Sequence, residues 1–114
     1  ELHADIKGQV LNYNKDIVDE VAKAVSENHV VVVGMKYNDA VYTARKALKK
    51  ADIEFTYLEY GSYTSSWRKR LALKMWTGWS TFPIIFVKGT LIGGSSDMRA
   101  LIDAGELEGL LTSD

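Results

Sequence analysis

The sequence predicts an α/β domain in which helices cover both faces of a four-stranded mixed sheet, giving three layers. Three observations carry that expectation. Apolar residues recur at helical spacing in several segments, short β-branched or alternating runs fall between them, and two residues separate the last two strands. With 114 residues the chain has the usual length of one domain. A chain of that size buries roughly two thirds of its unfolded surface, so its core needs no covalent staples.

Residues 1–14 show no clear period and read as an N-terminal arm before a domain spanning residues 15–114. From Asp16, DIVDEVAKAVSEN places Ile17, Val18, Val21, Ala24 and Val25 on one helical face, and Asn28 is a suitable stop. His29 to Val33 is continuous and β-branched after its first residue, the pattern of a central strand covered on both faces. Asn38-Asp39 starts a second helix. Its apolar positions are Val41, Ala44, Ala47 and Leu48, and Arg45, Lys46, Lys49 and Lys50 are weighted toward its C-terminal half, which suits the helix dipole. Ile53 to Tyr60 alternates, with one slip at Tyr57-Leu58, and reads as a strand with one less buried face. Ser65 to Met75 is expected to form a third helix. Ile84–Val87 and Thr90–Ile92 follow as strands around Lys88-Gly89, Asp97–Ala104 as a fourth helix, and Glu106–Leu111 as a short terminal one.

Composition narrows the function classes. The hydrophobic fraction of 46% and charged fraction of 25% are those of an ordinary globular chain. A formal net charge of −1 argues against a general affinity for nucleic acid or anionic membrane. No apolar stretch approaches the ~20 residues that span a bilayer. ELHADIKGQV lacks the apolar core of a signal peptide, so a cytoplasmic location is expected. The absence of cysteine excludes disulfides, thiolate metal sites and a cysteine nucleophile within this chain. His3 and His29 lack metal-ligand spacing, and no metal cofactor is expected. Trp67, Trp76 and Trp79 cluster with Tyr57, Tyr60 and Tyr63 near Arg68, Lys69 and Arg70. Stacking with single-stranded nucleic acid is one use of such a group. The near-neutral charge favours packing or a protein-contact patch instead.

Trp79 to Asp97, WSTFPIIFVKGTLIGGSSD, contains the only proline and the only Gly-Gly pair. It resembles the C-terminal half of a glutaredoxin, with its Thr-x-Pro turn and Gly-Gly turn, and its spelling is closest to the monothiol branch. The resemblance covers about residues 15–112 and implies a thioredoxin-like fold and a background in glutathione-dependent thiol–disulfide exchange and iron–sulfur transfer. In that family the nucleophilic cysteine sits between the first central strand and the next helix, and the matching residue here is Asn38. An amide forms no mixed disulfide and is a poor iron–sulfur ligand. Asn38-Asp39 reads first as a good helix start, and alternatively as a place where Asn38 donates a hydrogen bond to a bound ligand.

The remaining glutathione-site positions follow from the resemblance as well. Arg70 matches the basic residue that holds the glycyl carboxylate, a task suited to a planar guanidinium. Phe82-Pro83 matches the family's cis-proline pair, whose preceding residue offers its backbone to an extended peptide. Gly93, Gly94, Ser95, Ser96 and Asp97 match the turn that binds the γ-glutamyl end on backbone N–H groups. Ser95 replaces a cysteine and Ser96 an aspartate of the family's usual spelling. The same residues are also what helix capping alone selects. The expected function is a non-catalytic module that binds glutathione or a cysteine-containing peptide and acts through a protein partner. The alternative is an oxidoreductase in which glutathione supplies the only thiol.

Overall fold

A computed structural model describes residues 15–62 and 67–112. The elements are α1 (Lys15–Glu27), β1 (Val30–Gly34), α2 (Asp39–Lys50), β2 (Thr56–Glu59), α3 (Trp67–Thr77), β3 (Ile84–Val87), β4 (Thr90–Gly93), α4 (Ser95–Asp103) and α5 (Glu106–Thr112). The strand order is β2-β1-β3-β4. β1 pairs parallel with β2, and β3 pairs antiparallel with both β1 and β4. This is the mixed sheet that the sequence predicts. The expected arm over 1–14 and the expected start of the third helix at Ser65 lie outside the described residues.

The β-branched runs split between two cores by strand alternation. Val31, Val33, Ile84 and Phe86 face one side, where they meet Ile17 and Val21 of α1 and Ala72 and Leu73 of α3. Val30, Val32, Ile85 and Val87 face the other side and meet Ala44 and Leu48 of α2, Met98 of α4 and Leu107 of α5. Every residue of β1 and β3 is buried, as their lack of polar alternation requires. Full burial of each such side chain contributes about 1.5–3 kcal/mol.

Local chemistry sets the boundaries. Asn28 ends α1 by donating from Nδ2 to the Ala24 carbonyl at 2.9 Å. α2 starts on Asn38 and ends at Ala51, with Asp52 in the left-handed region at φ 59°. Lys88 (φ 49°) and Gly89 (φ 83°) form the two-residue link between β3 and β4. The alternating run before Tyr60 yields a strand only over Thr56–Glu59. α4 begins two residues before the expected Asp97, with Gly94 as its N-cap.

Candidate functional site

Strand directions gather one end of the molecule. Val33 of β1 pairs with Ile84 of β3, Gly34 with Glu59 of β2, and Ile85 with Gly93 of β4. The C-terminal ends of β1, β2 and β4 therefore meet the N-terminal end of β3. The chain leaves or enters the sheet there at Met35–Asn38, Tyr60–Gly61, Phe82–Pro83 and Gly93–Ser95. All the positions singled out in the sequence lie at this end, Arg70 through its bond to the Tyr60 carbonyl.

The first helix terminus here is that of α2. Lys36 N donates to Gly61 O at 2.8 Å, which ties the turn to the end of β2. Tyr37 adopts a left-handed φ of 59° and is 83% exposed. Asn38 is extended, and its Oδ1 accepts from Val41 N at 3.0 Å. That bond satisfies one of the orphan donors of the first turn. Asp39 adds a carboxylate to the same turn. The helix starts tight against β1: a Cβ on Gly34 would lie 2.7 Å from Val41 Cγ1 and 2.9 Å from Tyr57 Cε1.

The second terminus belongs to α4. Gly93 takes φ 115°, and a Cβ there would collide with the Asp97 carboxylate, 2.9 Å from its Cγ. Gly94 is the N-cap and has no side chain to offer. Its own N–H donates to Asp97 Oδ2 at 3.0 Å, while Met98 N donates to Gly94 O at 3.1 Å. The Trp79 indole lies beneath the turn, its Nε1 3.6 Å from where a Gly94 Cβ would be, and the Pro83 carbonyl lies at the same distance. Ser95 is 7% exposed. Its Oγ and Trp79 Nε1 are buried and have no hydrogen-bond partner among the described residues. Buried polar atoms are nearly always paired, by protein, water or ligand. Ser96 and Asp97 face solvent.

α3 and the segment after it supply the third side. Arg70 is buried, and its Nη1 donates to Tyr60 O at 3.1 Å. Phe82 is buried, and the Phe82–Pro83 peptide is cis. One helical turn beyond Arg70, Lys74 Nζ stands 5.5 Å from the Phe82 ring centroid, a cation–π distance. Arg68 and Lys69 are exposed.

Two tyrosines brace β2 beside this end. Tyr57 donates to Glu59 Oε1 at 3.0 Å, and the Arg45 guanidinium lies 3.9 Å from its ring centroid. Burial first, then the bond to Glu59, pushes the Tyr57 hydroxyl up to about 12. Tyr60 donates to Glu20, and burial followed by that bond raises its hydroxyl well above the ordinary value.

Comparison with known proteins decides the family. A "Glutaredoxin-like protein" of Dictyostelium discoideum is 46% identical over 103 residues, covering 90% of this chain and 84% of that one. The chain belongs to the glutaredoxin family. A mitochondrial "Monothiol glutaredoxin-S4" of Oryza sativa subsp. japonica is 27% identical over 116 residues, covering 97% of this chain and 61% of that one. A buckwheat glutaredoxin, solved as its complex with glutathione, superposes with a TM-score of 0.75 at 24% identity, over 86% of this chain and 89% of that one. No family model matches the chain.

This glutaredoxin has no cysteine, and Asn38 at the β1–α2 junction already uses its amide oxygen as a helix cap. Among the described residues no group of three His, Cys, Asp or Glu side chains is placed to hold a metal ion. An iron–sulfur cluster takes thiolates, so the donors present do not fit one. Three residues at the site were not singled out as site residues from sequence. Lys74 reads from sequence only as a basic neighbour of Arg70, Trp79 as packing or a protein-contact patch, and Tyr37 carries no reading there. Of these, Trp79 had a usable signal in its place at the head of the Trp-Ser-Thr-Phe-Pro segment. Among the described residues, no helix is long and apolar enough to cross a membrane.

Proposed function

We propose that this glutaredoxin is a non-catalytic module that binds glutathione at the β1/β3 end of its sheet and works through a protein partner. The observation that carries this reading is the unfilled terminus of α4. Its N-cap is a glycine, and the adjoining Ser95 Oγ and Trp79 Nε1 are buried without partners among the described residues. A γ-glutamyl carboxylate is well suited to this turn, where it would receive the Ser95 and Ser96 backbone N–H groups at the positive end of the helix. Asp97, held by Gly94 N, keeps a carboxylate near the place the ligand's ammonium would occupy. At the other end of the tripeptide, Arg70 and Lys74 supply cations near Tyr60 and Phe82, and the Phe82 backbone would pair with the central cysteinyl unit.

Without a cysteine, the chain provides no atom for a mixed disulfide. Its contribution is therefore to hold and present glutathione, in a cytoplasmic setting where thiols are kept reduced. Isothermal titration calorimetry with reduced and oxidised glutathione, run beside a hydroxyethyl disulfide reductase assay, tests the reading. The expected outcome is saturable binding at millimolar ligand or below, with turnover at the uncatalysed rate. Turnover above that rate that disappears in Arg70→Ala would overturn the non-catalytic assignment, and no binding would overturn the site.

A further inference from the structure

We propose that the cleft at the other end of the sheet is a docking surface for a basic, apolar segment of a partner protein, an extended peptide in which Lys or Arg residues flank large apolar side chains. This surface is separate from the proposed glutathione site and stands without it.

The parallel strands set the location. Val30 opens β1 and Thr56 opens β2, so the N-terminal ends of both strands lie together, whereas Asn38 and the Tyr60 carbonyl lie beyond their C-terminal ends. A cleft of about 1000 Å³ forms there between the end of α1, the end of α2, the segment leading into β2, and α5. Main-chain bonds hold its walls. Asn28 N donates to Ala24 O at 3.0 Å, Ile53 N to Leu48 O at 3.0 Å, and Lys88 N to His29 O at 2.7 Å. The cleft is therefore preformed, which lowers the cost of binding.

Its lining is apolar inside and acidic outside. Val30 is buried, and Ile53, Phe55 and Leu111 are half-buried, packed against the core on the α2 side of the sheet while also lining the cleft. β2 is an edge strand whose pairing with β1 begins at Thr56, so Glu54 and Phe55 cross the cleft outside the ladder. An extended peptide can pair with main chain at such a place and set alternate side chains on the apolar floor. Around the floor stand the exposed carboxylates of Glu27, Asp52, Glu54 and Glu108, against the Lys49 ammonium and the His29 imidazole. None of the four carboxylates makes a hydrogen bond or ion pair among the described residues. The whole chain carries a net charge of only −1, so negative charge is concentrated at this rim. A cleft lined by one sign of charge attracts the opposite sign and repels its own. Among the described residues no three His, Cys, Asp or Glu side chains are placed to hold a metal ion, and a bare cation gains nothing from Ile53, Phe55 and Leu111. The complementary ligand carries both positive charge and apolar side chains.

The probe is the synthetic peptide acetyl-Arg-Leu-Phe-Lys-Leu-Arg-amide, titrated into the isotopically labelled full chain and followed by backbone amide NMR shifts. Its controls are spermine and the same peptide with glutamate in place of each basic residue. Saturable binding is expected, with shifts concentrated at residues 27–30, 53–56 and 108–112, and with both controls at least about tenfold weaker. In Glu54→Lys/Glu108→Lys, with folding checked by circular dichroism, peptide affinity falls about tenfold, while the glutathione titration stays that of the wild type. No saturable binding, or shifts confined to Phe82 and residues 93–97, would overturn the proposal. Equal affinity for the glutamate peptide would overturn the charge complementarity, and spermine bound as tightly as the peptide would overturn the apolar part. If the charge-reversed variant does not fold, Glu54→Gln/Glu108→Gln gives the same readout with a loss of about threefold. An unchanged affinity in a folded variant would overturn the role of these carboxylates. Peptide binding without glutathione binding would sink the glutathione reading and leave this surface standing.

Discussion

Two helix termini stand at the same end of the sheet and differ in what fills them. The N-terminus of α2 is closed from within, since Asn38 Oδ1 accepts from Val41 N and Asp39 supplies charge. The N-terminus of α4 has a glycine cap, a carboxylate turned back to Gly94 N, and buried polar atoms on Ser95 and Trp79 without partners. The residues that cap best are short and polar, so a terminus that carries them is closed from within. A terminus that keeps glycines and leaves donors unpaired carries a continuing cost, which a ligand offsets. The difference supports placing the proposed glutathione site on the α4 side.

The comparison breaks most sharply at Gly93. Gly93→Ala forces a Cβ into the Asp97 carboxylate at φ 115°, and is expected to cost about 2–3 kcal/mol, read from urea denaturation, with loss of glutathione binding. Arg70→Ala leaves the half-buried Tyr60 carbonyl without that donor. A loss of about 2 kcal/mol is expected, together with a fall in glutathione affinity measurable by calorimetry. Asn38→Ala tests the α2 side. Removing the cap lowers stability by about 1 kcal/mol, Asn38→Asp retains most of it, and glutathione affinity falls less than in Arg70→Ala. If Asn38→Ala weakens binding more than Arg70→Ala, the two termini have been assigned in the wrong order.

The smallest expected effect is a pH dependence. The unfolded tyrosine hydroxyl ionises near 10, whereas Tyr57 in the fold stays neutral until about 12. The unfolded state therefore loses its proton first. The contribution is fully present below pH 10 and is lost as pH rises through 12. Denaturation midpoints measured across that window should fall with pH, and the fall should be shallower in Tyr57→Phe. Screening at this half-exposed site keeps the change modest.

Much of this fold was legible in the sequence because each β-branched run serves two cores at once. Val30–Val33 and Ile84–Val87 have no polar face, so only central strands accommodate them, and their helices followed from Val21, Val41 and Leu48. The site was legible as positions but not as interactions. Arg70 lies among Arg68, Lys69 and Lys74, so its sequence context describes a solvated basic face. Its burial depends on the Tyr60 carbonyl arriving from β2, a contact without local signature. Lys74 at the Phe82 ring and Trp79 beneath Gly94 depend on the same convergence of distant segments. Asn38 was readable both as a cap and as a ligand contact, and the bond to Val41 N assigns its oxygen to the cap.

The central claim is that the α4 side of this end still holds glutathione although the α2 side has lost the family's reacting group. A titration of the isotopically labelled chain with reduced glutathione, followed through backbone amide NMR shifts, tests it most directly. The account predicts saturating shifts concentrated at Phe82 and at Gly93, Gly94, Ser95, Ser96 and Asp97, with smaller ones at Arg70 and Asn38. Shifts absent from Gly93–Asp97, or largest at Asn38–Val41, would contradict it.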